Sequence, residues 1–89
     1  MLIGIIDTTS YDSSEAATLV QAYAQASIAV GSVYKLDYAA QAKLAKIVMA
    51  VANSRIKAGG ELMTADDSES VATIASDRFL HLLAGGRNG

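Results

Sequence analysis

The 89-residue chain contains no cysteine and a single histidine, His81. The missing cysteines exclude disulfide bonds and thiolate metal sites. A lone histidine, without other ligands at metal-binding spacing, does not make a zinc site, so neither a metal nor another cofactor is predicted. A domain of this length buries only about 60–65% of the surface that its unfolded chain exposes. Because disulfides and metals are excluded, contact with other protein chains is the remaining route to further burial.

Charged residues are also scarce, at 18% of the sequence, and they give a net charge of −2. An average globular chain carries about 25% charged residues. A dedicated nucleic-acid-binding domain is usually basic, so the charge balance argues against nucleic acid as a partner. Hydrophobic residues make up 52% of the chain, which excludes the composition of a disordered protein.

The first six residues are apolar but lack the basic segment of a signal peptide, and the apolar run ends at Asp7. A cytoplasmic location is therefore the default expectation. Residues 2–6 are predicted to form either a short strand or an irregular arm. A strand would have to pair with another copy, since the rest of the chain reads as helical.

Two helices are predicted in the first two thirds of the chain. Asp12 and Glu15 have capping-box spacing at the start of the first, and apolar residues then recur at helical intervals as far as Tyr34. Asp37 is the predicted cap of the second helix, which runs to about Lys57 before a glycine pair. Because the connecting residues Lys35-Leu36-Asp37 contain neither glycine nor proline, a continuous helix from about 13 to 57 is an open alternative.

A third helix is predicted after Thr64. Residues 66–69 offer a second capping-box-like start, with acids where the helix dipole favours them, and Gly85-Gly86 is its predicted end. The predicted fold is all-α, a single domain over residues 1–89, with two or three helices in a hairpin or small bundle and an irregular or short-strand apolar N-terminus.

Residues 16–34 form the most informative segment, because all nineteen are uncharged. A surface helix of a monomer normally exposes a charged face. Three interpretations compete: a helix covered by its own chain, a helix packed between copies, and a membrane span. Polar residues interrupt the segment and alanine contributes little to insertion, so a span is disfavoured. Only two other helices are available as cover, which favours packing between copies.

The candidate interface combines tyrosines, small residues and one arginine. Tyrosine is common at protein interfaces, small residues permit close helix approach, and an arginine within an apolar arc can pair across a contact. A glycine inside a helix costs about 1 kcal/mol relative to alanine, which suggests a packing reason for it. The predicted interface residues are Leu19, Tyr23, Ala26, Ser27, Val30, Gly31, Tyr34 and Arg78.

No phosphate-loop, dinucleotide-binding, zinc-protease or nucleophile-elbow motif occurs in the sequence. Asp77 and His81 share a helix face, but no nucleophile is tied to them, so an enzyme is not predicted. The sequence instead predicts a structural or assembly subunit that self-associates through residues 16–34, for which phage and bacterial assembly proteins are an analogy. The alternative is a small regulatory module that binds one larger protein. Weak nucleic-acid binding through Lys43 and Lys46 ranks third.

Overall fold

The computed structural model describes residues 6–60 and 64–86, which form three α-helices: α1 (Ser13–Gly31), α2 (Tyr38–Lys57) and α3 (Ala65–Gly86). The all-α prediction is confirmed, and no strand occurs within these two ranges. Of the N-terminal segment predicted as a short strand or an irregular arm at residues 2–6, residues 2–5 lie outside the described part of the chain. Ile6 is irregular in backbone and fully buried.

The start of α1 is the predicted capping box. The Asp12 carboxylate accepts a hydrogen bond from the Glu15 backbone N–H at 2.8 Å, and the Glu15 carboxylate accepts one from the Asp12 N–H at 3.5 Å. These bonds satisfy two of the amide groups that the first turn of a helix leaves without partners.

The end of α1 comes earlier than the apolar pattern predicts. The helix stops at Gly31, and Ser32 serves as the C-cap, with its hydroxyl donating to the Ala29 carbonyl at 2.8 Å. The Asp37 carboxylate then accepts from the Ala40 N–H at 2.9 Å and starts α2. Local capping thus interrupts the helix without proline, and the alternative of one helix from 13 to 57 is wrong.

The end of α2 and both ends of α3 lie close to the positions that the sequence predicts. Gly59, at φ +89°, adopts the left-handed conformation that glycine tolerates and turns the chain after α2. The cap of α3 lies two residues before the predicted one. The Thr64 hydroxyl accepts from the Asp67 N–H at 3.2 Å, and the Asp67 carboxylate accepts from the Thr64 N–H at 3.0 Å. Gly85 and Gly86 lie inside the last turn of α3.

The helices pack as an up-down-up bundle. The Tyr11 hydroxyl donates to Asn53 at 2.7 Å, joining the start of α1 to the end of α2. The Arg55 guanidinium donates to Ser70 at 2.7 Å and lies 3.5 Å from the Asp67 carboxylate, joining the end of α2 to the start of α3. Helices α1 and α3 are therefore parallel to each other and antiparallel to α2.

The core runs along the centre of this bundle and draws on all three helices. Its largest fully buried side chains are Phe79, Ile6, Leu19, Leu44, Val30, Val48 and Val71. Ile6 brings the N-terminal arm into the same core. Within residues 6–60 and 64–86, no helix combines the length and apolar character that a membrane span requires.

Candidate interaction surface

The inner face of α1 carries four of the eight predicted interface residues. Leu19 is 1% exposed, Ala26 and Val30 are fully buried, and Tyr23 is buried almost as completely. All four belong to the hydrophobic core that α1 shares with α2 and α3. They are core residues of the folded chain, so a contact between copies has to use another part of α1.

The outer face of α1 is exposed and carries no charge. Its residues follow one another at alternating intervals of four and three, which places them in one line along a helix. We call this line the outer stripe; it consists of Ala17, Gln21, Ala24, Ile28 and Gly31, all exposed. Its small residues recur every seven positions, with Gln21 and Ile28 as the larger side chains between them. Of the predicted interface residues, only Gly31 lies on this stripe.

One edge of the outer stripe is half-buried and forms a groove. Val20 and Ser27 lie along this edge, and the Ser27 hydroxyl is buried without a hydrogen-bond partner in the described part of the chain. The groove has a volume of about 510 Å³, and its lining residues are Thr8, Ser13, Ala16, Ala17, Val20, Gln21 and Ala24. Its wall is therefore built entirely from uncharged side chains.

A turn in the N-terminal arm lies beside this groove, since Thr8 is one of its lining residues. The Asp7 carboxylate accepts hydrogen bonds from the Thr9 backbone N–H at 3.1 Å and from its hydroxyl at 2.8 Å. These two bonds hold the pKa of Asp7 below its ordinary value because they stabilise the charged form. The turn lies directly after Ile6, so it orients the arm where that side chain enters the core.

The outer faces of α2 and α3 are charged, in contrast to α1. On α2, Lys43, Lys46 and Lys57 are exposed, and the helix contains no aspartate or glutamate. On α3, the exposed acids are Asp66, Glu69 and Asp77. In the described ranges, no group of three or more His, Asp or Glu residues is placed to hold a metal ion. The three helices therefore present a neutral, a basic and an acidic face.

The remaining two predicted interface residues lie away from the outer stripe. The Tyr34 ring packs edge-to-face on Phe79, with ring centroids 6.0 Å apart and an interplanar angle of 63°. Tyr34 therefore joins the end of α1 to α3, while part of its ring stays exposed. Arg78 is exposed on α3, beside His81 and Leu82. The structure brings neither Tyr34 nor Arg78 into line with Gly31.

Large apolar side chains are exposed where α1 passes into α2. Val33 is 73% and Tyr38 is 74% exposed, and Tyr34 and Leu82 are partly exposed at the same end of the bundle. We call these four residues the apolar end. Val33 and Tyr38 are not among the residues that the sequence predicts for an interface. Their exposure depends on the chain reversal between α1 and α2, which the sequence does not mark, so the sequence carries no direct signal for it.

No protein-family model, curated protein or solved structure matches this chain. The exposure and charge of its helix faces are therefore the features from which a role can be inferred.

Proposed function

We propose that this chain is a small assembly subunit whose copies pack against one another through the outer stripe of α1. The observation that carries the proposal is the contrast between the three helices. Each has a face exposed to water, and α1 alone has no charge on it. An exposed helix face normally carries charged and polar residues. A neutral face built from small residues is better suited to contact with protein than to permanent exposure.

The spacing of the outer stripe supports a contact between helices. Its intervals of four and three match the repeat with which two helices pack at a crossing angle of about 20°. Alanine and glycine at the seven-residue repeats let the helix axes approach closely. Ile28, which is 76% exposed in the single chain, then gains burial. Complete burial of such a side chain is worth about 1.5–3 kcal/mol.

The size of the outer stripe indicates a weak contact. From Ala17 to Gly31 the helix is about 22 Å long and about 10 Å wide. A stable protein interface usually buries about 800 Å² on each partner. One helix face of this size supplies less than that, so we expect association that rises steadily with concentration rather than a permanent dimer.

Two matched substitutions test the proposal, Ala24→Lys and Ala50→Lys. Both alanines are exposed near the middle of a helix, and both variants gain one positive charge. Ala24 lies at the centre of the outer stripe, whereas Ala50 lies among the lysines of α2. A lysine at position 24 would have to lose its hydration in a close, neutral contact. Gln25 is unsuitable for this test because it donates a hydrogen bond to Ser68 of its own chain.

Sedimentation equilibrium in about 1 M salt, where the screening length is roughly 3 Å, isolates the apolar contact from interactions between exposed charges. The average mass of the wild type and of Ala50→Lys should rise with concentration. Ala24→Lys should keep the mass of a single chain, with unchanged helix content by circular dichroism. If Ala24→Lys associates like the wild type, the outer stripe is not the contact.

The apolar end favours a second candidate function, a regulatory module that binds one larger protein. Val33 and Tyr38 could insert into a pocket of such a partner without involving the outer stripe. A wild-type chain that stays monomeric over the whole concentration range would favour this alternative over an assembly subunit.

A further inference from the structure

Most of the charges exposed on α2 and α3 are sorted by sign, with the exposed Arg78 of α3 as the exception. Lys46 and Lys57 lie on the outer face of α2, and Asp66 and Asp77 lie on the outer face of α3. Within residues 6–60 and 64–86, the ion pair between Arg55 and the first turn of α3 is the only one within 4.0 Å. The four outer charges are therefore not neutralised by ion pairs inside the described part of the chain.

The two sets of charges have the same spacing. Lys46 and Lys57 are eleven residues apart, and so are Asp66 and Asp77. Eleven residues correspond to about three turns of helix and roughly 16.5 Å of rise. Each pair therefore lies on a line parallel to its helix axis, with the same distance between its two charges.

The level of these charges in the bundle also matches. The contacts of Arg55 with Asp67 and Ser70 fix the antiparallel register of α2 and α3. In that register Lys57 lies level with Asp66, and Lys46 lies level with Asp77. When two copies stand side by side and point the same way, α2 of one can face α3 of the other with both charge pairs opposed and no shift along the bundle axis.

We propose that the lysine face of α2 docks on the aspartate face of α3 of a second copy. Lys46 lies opposite Asp77 in this contact, and Lys57 lies opposite Asp66. The occupant follows from charge complementarity, because the surface that matches the lysine line in sign and spacing is the aspartate line of the same molecule. The contact is heterologous, so a pair of copies keeps one unused lysine face and one unused aspartate face, to which further copies can add. This contact uses α2 and α3 and not the outer stripe of α1, so it is tested independently of the proposed function.

Charge reversal in two complementary variants tests this contact. The parent chain carries Ala24→Lys, so that association through the outer stripe does not contribute. One variant adds Lys46→Glu and Lys57→Glu, which makes both docking faces acidic. The other adds Asp66→Lys and Asp77→Lys, which makes both faces basic. Neither variant can form the contact alone, whereas an equimolar mixture offers opposed charges again at every contact.

Sedimentation equilibrium is run at about 0.01 M ionic strength, where the screening length is roughly 30 Å, and again at about 1 M. The parent should associate at low salt and dissociate at high salt. Each reversed variant should be monomeric at low salt, and the mixture should regain the association of the parent. The proposal is overturned if the parent is monomeric at low salt, if either variant associates like the parent, or if the mixture stays monomeric.

Two control variants separate the proposed contact from a general effect of charge and from loss of folding. Lys35→Glu makes one of these charge changes in the exposed connection between α1 and α2 and should leave association unaltered. If a reversed variant fails to fold, the neutral variant Lys46→Gln/Lys57→Gln decides. It removes two exposed ion pairs and should weaken association by about two- to thirtyfold, and no weakening would overturn the proposal. Association that appears only when nucleic acid is added would assign the lysine face to that partner and would equally overturn it.

Discussion

Truncation to alanine should lower the stability of the single chain at Leu19 but not at Ile28, although both are large apolar residues of α1. Leu19 is 1% exposed and Ile28 is 76% exposed. Removing a buried leucine costs about 2.7–5 kcal/mol, because the lost transfer energy is joined by the cost of the cavity. A chain of 89 residues has an expected free energy of unfolding of about 4–13 kcal/mol. Leu19→Ala should therefore remove a large share of it.

Ile28→Ala should leave the stability of the single chain nearly unchanged. Its side chain already faces water, and alanine forms helix better than isoleucine by a few tenths of a kcal/mol. We expect a change of at most about 0.5 kcal/mol. Association should weaken, because the stripe loses its largest apolar side chain. The pair thus separates the core face of α1 from its contact face.

Urea unfolding, followed by circular dichroism at low protein concentration, measures both effects on the monomer. With a slope of about 1–3 kcal/mol per molar urea, Leu19→Ala should lower the midpoint by roughly 1 M or more. The midpoint of Ile28→Ala should stay within about 0.5 M of the wild type. Equal losses, or a greater loss for Ile28→Ala, would contradict the assignment of the two faces.

Three further substitutions test local features. Gly31→Ala should raise the free energy of unfolding by up to about 1 kcal/mol, and the thermal midpoint with it, because an added Cβ would meet only a Leu36 methyl group at 4.0 Å. A lower thermal midpoint would show a steric clash at this position. Gly59→Ala should lower the free energy of unfolding by about 1–2 kcal/mol, since a φ of +89° strains the backbone of any residue with a Cβ atom. An unchanged thermal midpoint would contradict this strain. Thr9→Ala should raise the pKa of Asp7 towards its ordinary value, because one of two hydrogen bonds to the carboxylate is lost. NMR titration measures that pKa. A carboxyl group whose pKa is lowered in the folded state stabilises the fold at neutral pH, and this stabilisation is lost as the pH falls through that lowered pKa. Any stability advantage of the wild type over Thr9→Ala should therefore vanish in acid.

The starts of α1 and α2 were predictable because they depend on local chemistry. Asp12 and Asp37 each accept from a backbone N–H three residues on, and the sequence shows that spacing directly. The break between α1 and α2 is not marked in the sequence, because it depends on Ser32 capping the last turn of α1. A serine carries a much weaker sequence signal than a proline or a glycine pair.

The orientation of α1 was not predictable from the same sequence. On α2 and α3, exposed residues such as Lys46 and Asp77 mark the side that faces water. Residues 16–34 contain no charge, so neither side of the helix was marked. The larger apolar residues, such as Leu19 and Val30, satisfied the criteria for an interface and for a core equally. Only the packing of the other two helices separates the faces.

A single engineered cysteine gives the most direct test of the outer stripe, because the chain has none of its own. Position 24 lies midway between Ala17 and Gly31, so two copies that pair along the stripe bring their residues 24 together whether the helices run parallel or antiparallel. A disulfide requires Cα atoms about 4.4–6.8 Å apart. On mild oxidation, Ala24→Cys should form a covalent dimer rapidly, whereas Ala50→Cys should not. Equal cross-linking at both positions, or none at position 24, would contradict the proposed contact.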